Sequence, residues 1–391
     1  MSKSQATSEA YDYIIAGSGL GGLSLLHRIL LNENLNKKRI LVLDKSLKEQ
    51  NDRTWCYWES EASVFEPIVI KSWDTLQFVS PSIDKTFQLK DYCYKMIRGV
   101  DFYRHILDHA ASFPNVTFVQ EKIEELTDAG ERAFVKTSNN TYTASYIFNS
   151  TGLFNPDMSE KDTLLQHFMG WNIKAEHPVF DPSRATLMDF RPAQQHGTTF
   201  MYVLPLTETQ ALVEYTLFTS GVLEKQEYVT ELKAYISKQL HIDDYEIEHE
   251  EFGIIPMSLA KFPKHVGVQK RIINLGTSGG YTKASTGYTF QFVQRHVKAI
   301  IGRLSRNQTP VVSLSFRDKM FDWYDRTFLD VLLTGKMTGE EIFTSLFRKS
   351  DPELILSFLD NKSGFWEEFI IRNSVPQIPF MTSGLRQLTR R

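Results

Sequence analysis

Residues Tyr11 to Asp44 read YDYIIAGSGLGGLSLLHRILLNENLNKKRILVLD, and the order of apolar, glycine and acidic residues in this stretch decides the fold. A short apolar run, Tyr13-Ile14-Ile15-Ala16, meets Gly17-Ser18-Gly19-Leu20-Gly21-Gly22. An apolar-faced segment continues to Leu31, a polar loop follows, and Ile40-Leu41-Val42-Leu43 closes on Asp44. Strand, glycine turn, helix, strand and terminal acid is the order a dinucleotide-binding βαβ unit requires. Gly17 permits the tight turn, Gly19 lets backbone approach a pyrophosphate, and Gly22 lets helix and strand pack closely. The helix N-terminus then offers unpaired N–H groups to the phosphates. Asp44 lies 22 residues beyond Gly22, the usual distance for a carboxylate that accepts from a ribose hydroxyl.

The chain has 391 residues, 42% hydrophobic and 23% charged, which predicts two or three domains or one large α/β body with insertions. Its net charge of −3 comes from interspersed acids and bases, so no nucleic-acid surface is expected. Aromatic residues reach 13%, enough either to line an apolar pocket or simply to fill a core. Cys56 and Cys93 are the only two cysteines and form no CxxC motif. Neither a disulfide framework nor a zinc site is therefore expected, and the cytosolic face is the natural compartment. The opening MSKSQATSEA has no apolar signal-peptide region. No run of about 20 apolar residues predicts a spanning helix.

Further along, LQFVSPSIDKTFQLKDY reads as strands with polar turns entering a second sheet, and Val100 to Ala111 as an amphipathic helix. Long strands follow from Asp162 to about Gly253, interrupted by a helix over Glu224 to Leu240. Arg271 to Gly276 is a strand running into Gly276-Thr277-Ser278-Gly279-Gly280, then Ser285-Thr286-Gly287-Tyr288 and a helix through Leu304. This is a second place where glycines and a helix start coincide. From Ser315 onward the pattern is helical.

Together these stretches resemble the lycopene cyclase family, specifically its bacterial flavin-dependent lycopene β-cyclases. The resemblance spans about residues 11–385. It rests on YIIAGSGLGGLSLLHRIL with LVLDK, NDRTWCYWE, LQHFMGWNIKAEHPVFDPSRATLMDFR, FMYVLPLTETQALVEYTLFT and LGTSGGYTKASTGYTF. The first and fifth stretches mark a flavoprotein only; the middle three are more specific. One departure is Asn149-Ser150-Thr151-Gly152, a looser version of the family's small-residue strand end.

The resemblance implies a two-domain, FAD-binding, Rossmann-like fold of the glutathione-reductase/hydroxylase type, with a mixed β-sheet substrate domain and a helical C-terminal region. The corresponding boundaries are a flexible tail over 1–10 and a discontinuous FAD-binding domain over 11–60, 95–155 and 268–305. The substrate domain covers 61–94 and 156–267, and the helical region 306–391. The implied reaction converts the ψ ends of lycopene to β-ionone rings without net redox change, using reduced FAD with NAD(P)H as electron source. Peripheral attachment at the inner face of the cytoplasmic membrane is implied by a C40 hydrocarbon substrate. The oligomeric state is not.

Ring closure needs a proton delivered to an alkene, stabilisation of a tertiary cation, and a base. An acid of that kind must be held protonated by burial. Glu214, in the otherwise apolar or aromatic strand Ala211-Leu212-Val213-Glu214-Tyr215-Thr216-Leu217-Phe218, is the first candidate; a solvent-facing carboxylate is the plainer reading. Asp189, in Met188-Asp189-Phe190-Arg191, is read as orienting the substrate, as an acid–base partner, or as an ion pair with Arg191. Trp55, Trp58, Trp171, Tyr215 and Phe218 could offer ring faces to a cation or simply pack. Gly17, Gly19, Gly22, Asp44, Arg98, Gly276, Gly279, Gly280, Thr286 and Gly287 are the expected flavin-binding residues, Arg98 by resemblance alone. His105 and His109 have helical i,i+4 spacing but no third ligand, and are read as a solvated helix face; no metal is expected. The competing functions are a monooxygenase or prenyl-chain reductase of the same fold, and a non-catalytic flavin- or carotenoid-binding protein.

Overall fold

The computed structural model describes residues 10–46, 48–159 and 161–389. The expected tail lies outside these residues except for Ala10, which opens the first strand, Ala10–Ala16. That strand is the centre of a parallel array. In spatial order the array runs Ile272–Asn274, Thr141–Asn149, Ala10–Ala16, Ile40–Asp44, Val116–Gln120. An antiparallel hairpin, Ile123–Asp128 with Ala133–Thr137, joins the start of Thr141–Asn149 through Ala133↔Ala144.

Alternation along these strands supplies two apolar faces. Ile15 and Val42 pack against Leu23 and Leu26 of helix Leu20–Leu30, Phe102 and Ile106 of helix Gly99–Ala110, and Val293 and Val297 of helix Phe290–Leu304. Ile14, Leu41 and Leu43 pack on the other side with Leu126 and Val135 of the hairpin. Gly22 allows the first helix to sit this close, because a Cβ there would fall 2.0 Å from the Gly17 carbonyl oxygen.

A second sheet of seven strands runs Tyr245–Ser258, Thr163–Ala175, Gln210–Thr219, Thr198–Pro205, Arg184–Asp189, Thr75–Ser80, Ile83–Gln88. All its pairs are antiparallel except Arg184–Asp189 with Thr75–Ser80. In strand Gln210–Thr219 the odd residues Val213, Tyr215 and Leu217 pack on Tyr228, Leu232 and Ile236 of helix Lys225–Gln239. The even residues Leu212 and Phe218 face the main core. A small sheet of Thr54–Glu59, Lys71–Trp73 and Cys93–Arg98 links the two large ones. Five helices follow, Phe316–Leu333, Gly339–Lys349, Pro352–Leu359, Phe365–Ser374 and Gln377–Thr389. The first three bury Leu329, Phe343 and Leu356 against Phe78 and Phe200 of the second sheet and Phe190 just beyond its strand Arg184–Asp189.

Candidate active site

A cavity of about 360 Å³ runs from the glycine turn of the first sheet to the even-numbered face of the second. At the nucleotide end it is lined by Gly19, Leu20, Gly21 and Ser150 on one side and Gly276, Thr277 and Ser278 on the other. Two helix N-termini, at Leu20 and Phe290, point into it. Neither helix has a side-chain cap or an acidic residue in its first turn, so their leading N–H groups are available to an anion. Gln166 Oε1 and Thr286 Oγ1 are buried on the cavity wall without a hydrogen-bond partner in the protein. These features fit an elongated, doubly anionic ligand such as a flavin dinucleotide.

The expected glycines divide by position. Gly17, at φ +96°, makes the turn and gives its amide to Leu43 O at 2.7 Å. Gly17 and Gly22 shape the turn from behind, whereas Gly19 lies on the cavity wall. Gly276 (φ +57°), Thr286 and Gly287 (φ +72°) also lie on the wall. A Cβ on Gly287 would meet Gln166 Oε1 at 1.8 Å. Gly279 and Gly280 do not face the cavity: they close the loop behind it, Gly280 in the left-handed region. Lys264 Nζ donates to the carbonyls of both.

Asp44 stands at the strand end as expected, but its carboxylate is turned onto the glycine loop. Oδ2 accepts from both Ser18 N and Ser18 Oγ at 2.7 Å, and Oδ1 from Ser46 N at 3.0 Å. Burial opposes its charge, yet these donors and Lys48 outweigh it and hold the carboxyl below the usual range. Arg98 does not face the cavity. It is half exposed and ion-paired with Asp101 at 2.6 Å, while Arg53, its near neighbour across the small sheet, lines the cavity.

The other end of the cavity holds two carboxyls. Glu214 projects from the even face of Gln210–Thr219, and Glu251 from Tyr245–Ser258. Their strands lie on either side of Thr163–Ala175, and both residues register with Gly170. With no side chain between them, both approach the position a Gly170 Cβ would take, Glu251 Cγ at 3.2 Å and Glu214 Oε2 at 3.4 Å, and each influences the other's titration. Thr216 Oγ1 donates to Glu214 Oε1 at 2.8 Å, and Thr54 Oγ1 to Glu251 Oε2 at 2.7 Å. Burial first, and the neighbouring Glu251 second, push Glu214 well above the carboxylate range. Glu251 is raised by burial too, but donation from Thr54 and Glu214 moderates it. Both shifts favour the protonated form, and the stronger one is at Glu214. Around it stand Tyr94, Tyr202 and Tyr288, whose hydroxyls are linked at 3.3 and 3.5 Å, together with Phe168.

Asp189 is not part of this constellation. Its carboxylate is fully buried on the opposite face of the sheet, accepting from Tyr235 Oη at 2.6 Å and Arg191 Nε at 2.9 Å. The ion pair with Arg191 is the arrangement the structure holds. A bulge decides this: Thr186 pairs with Val203, but Asp189 pairs with Met201, so an extra residue turns Asp189 away from the cavity. Unbroken alternation would have set it opposite Phe200, on the face of Glu214.

Of the five aromatics, Trp55 lines the cavity. Trp171 and Tyr215 face helix Lys225–Gln239 on the far side of the sheet, while Trp58 and Phe218 are packed in the core. His105 and His109 are half-buried rather than solvated, for they pack on His27 with ring centres 5.2 and 5.4 Å away. Burial, then these two neighbours, lowers His27 to about 4. Among the described residues no group of three or more His, Cys, Asp or Glu could hold a metal ion.

Glu251, Gly170, Gln166 and the three tyrosines were missed in the sequence. Glu251 sits in the acid-rich Glu246-Ile247-Glu248-His249-Glu250-Glu251, where nothing local separates a buried acid from solvated ones.

The family model described as lycopene cyclase protein matches residues 12–385. A lycopene beta-cyclase of Pantoea ananas is 25% identical over 293 residues, 71% of each chain. Among solved structures, a flavoprotein/dehydrogenase from Cytophaga hutchinsonii superposes with a TM-score of 0.63 at 13% identity, over 98% of this chain and 100% of that one. A geranylgeranyl bacteriochlorophyll reductase-like protein from Thermoplasma acidophilum gives 0.61 at 12% identity, over 98% and 96%. The fold is the two-domain, Rossmann-like fold of FAD-dependent flavoproteins, with a mixed-sheet second domain and a helical C-terminal region.

Proposed function

The chain belongs to the lycopene cyclase family, and from that premise we propose that it is a lycopene β-cyclase. It closes the ψ ends of lycopene to β-ionone rings by acid catalysis, through γ-carotene to β-carotene, as an isomerase of the intramolecular lyase type. The observation that carries this reading is the buried, closely approached Glu214–Glu251 pair at the apolar, aromatic end of the cavity. A flavin oxidoreductase of the same fold has no need of a carboxyl held protonated at neutral pH; alkene protonation does.

Glu214 delivers its proton to the terminal double bond, leaving a tertiary cation. The ring faces of Tyr94, Tyr202, Tyr288 and Phe168 border the space in which the cation closes onto the chain. A ring proton then returns to the carboxyl pair, which ends with the proton count it began with, so the product is an isomer of the substrate. Gly17, Gly19, Gly22 and Gly276, with the N-termini at Leu20 and Phe290, are the residues that would hold FAD, with Gln166, Thr286 and Gly287 alongside it. When bound and reduced, with NAD(P)H as the source of electrons, FAD supplies an electron-rich plane that stabilises the cation. The hydrocarbon substrate calls for peripheral contact with the inner face of the cytoplasmic membrane.

Expression in lycopene-accumulating cells tests the reading. The chain converts lycopene to β-carotene, and Glu214→Gln abolishes conversion while the purified protein keeps its FAD spectrum. Lycopene that persists beside a flavin-loaded wild-type chain overturns it.

A further inference from the structure

The two last helices are turned inside out. Helix Gln377–Thr389 buries Ser383, Gly384 and Gln387 and exposes Ile378, Met381, Leu385 and Leu388. The spacing of those four, three then four then three, is one continuous stripe. A soluble helix presents the reverse. The helix cannot roll to hide the stripe, because polar contacts to helix Phe316–Leu333 fix its orientation. Trp323 Nε1 donates to Gly384 O at 3.0 Å, Gln387 Nε2 to Asp330 Oδ1 at 2.8 Å, and Arg386 is ion-paired with Asp330. A Cβ on Gly384 would already touch Trp323 at 2.9 Å.

Helix Phe365–Ser374 repeats the pattern. Glu368 points inward to Arg317 and Tyr324, whereas Phe365, Trp366, Phe369 and Ile370 face outward. Trp366 is 72% and Ile378 77% exposed. Eight large apolar side chains thus stand exposed within 24 residues, far more than scattered surface hydrophobics require. The charge is one-sided as well. From Phe365 to Arg391 four arginines, Arg372, Arg386, Arg390 and Arg391, stand against Glu367 and Glu368, and Glu368 is paired inward with Arg317 as Arg386 is with Asp330.

We propose that this helical pair is the surface by which the protein lies on an anionic lipid bilayer. An apolar stripe with interfacial Trp and Phe and an excess of arginine over acid is the signature of a helix in the headgroup plane. No helix of the described residues is long and apolar enough to cross a bilayer, so the contact is in-plane. The choice of a bilayer over a second copy of the chain rests on this charge and on the lipid-dissolved substrate proposed above.

Co-sedimentation of the flavin-loaded full chain with vesicles tests the surface without any carotenoid present, so failure of the cyclase reading and failure of this one are separable. Vesicles of phosphatidylcholine with phosphatidylglycerol retain the wild type, and phosphatidylcholine alone retains less. The pairs Trp366→Ser with Phe369→Ser and Ile378→Ser with Leu385→Ser each lower the bound fraction by about tenfold or more, with unchanged circular dichroism and flavin content. Wild-type protein that ignores vesicles, or variants that bind as tightly as wild type, overturn the proposal. So does a wild-type dimer in analytical ultracentrifugation that these substitutions convert to monomer.

Discussion

Glu214 and Glu251 lie 37 positions apart in sequence, yet both register with Gly170 of the strand that separates theirs. Glycine leaves a gap on the cavity face, and the two carboxyls close over it. Burial there favours the protonated form, which a carboxyl must keep if it is to donate to an alkene.

Gly170→Ala therefore disturbs chemistry more than cofactor. The added Cβ would lie 3.0 Å from Leu212 Cδ1, 3.2 Å from Glu251 Cγ and 3.4 Å from Glu214 Oε2, so Leu212 and Glu251 must give by a few tenths of an ångström. Turnover falls, by less than the about 100-fold of a misplacement near 1 Å, and stability by about 1–3 kcal/mol. Product quantification beside the flavin spectrum checks this; unchanged turnover would show that the pair need not lie this close.

The pH dependence follows from the direction of the Glu214 shift. Its folded pKa is raised above the unfolded one, so the stability it contributes is present at low pH and is lost as pH rises through the folded value. The acid form is lost over the same interval, so turnover declines on the alkaline side. Burial is the larger cause and Glu251 the second. Glu251→Gln leaves the first and removes the second, which moves the alkaline limb to lower pH and cuts turnover by roughly 10²- to 10⁴-fold. A pH–rate profile that keeps its alkaline limb in Glu251→Gln would break the link between the two groups.

Asp189→Ala has the opposite signature. Asp189 is sealed in the sheet with Tyr235 and Arg191. Arg191 is 37% exposed and rehydrates when its partner goes; the buried Tyr235 hydroxyl does not. A loss of about 1–3 kcal/mol is expected, read by urea denaturation, with turnover per bound flavin retained. A folded variant with abolished turnover would return Asp189 to the reaction.

Much of the nucleotide half was legible, for a mechanical reason. Strand, glycine turn and helix over Tyr13 to Leu30 are set by neighbours in the chain, and Gly22 is required by a contact only five residues back, at Gly17. Gly276 and Gly287 were legible in the same way, since their positive φ values belong to local turns. Arg98 was not: whether it or Arg53 reaches the cavity depends on how the small sheet leans, which no local pattern encodes.

The sequence by itself determined the dinucleotide turn, the alternating strands of the second sheet and Glu214 as an acid in an expensive place, because each follows from local geometry and from the apolar residues on either side. Only the tertiary structure decided what Glu214 faces. Period-two alternation assigns side chains to faces within one unbroken strand. A bulge before Asp189 reversed its face, and the strand order brought Glu251 to Gly170 from the other side. Strand order and bulges are settled by packing between distant segments, and that packing made the acid's partner a glutamate rather than the aspartate nearer to it in the chain.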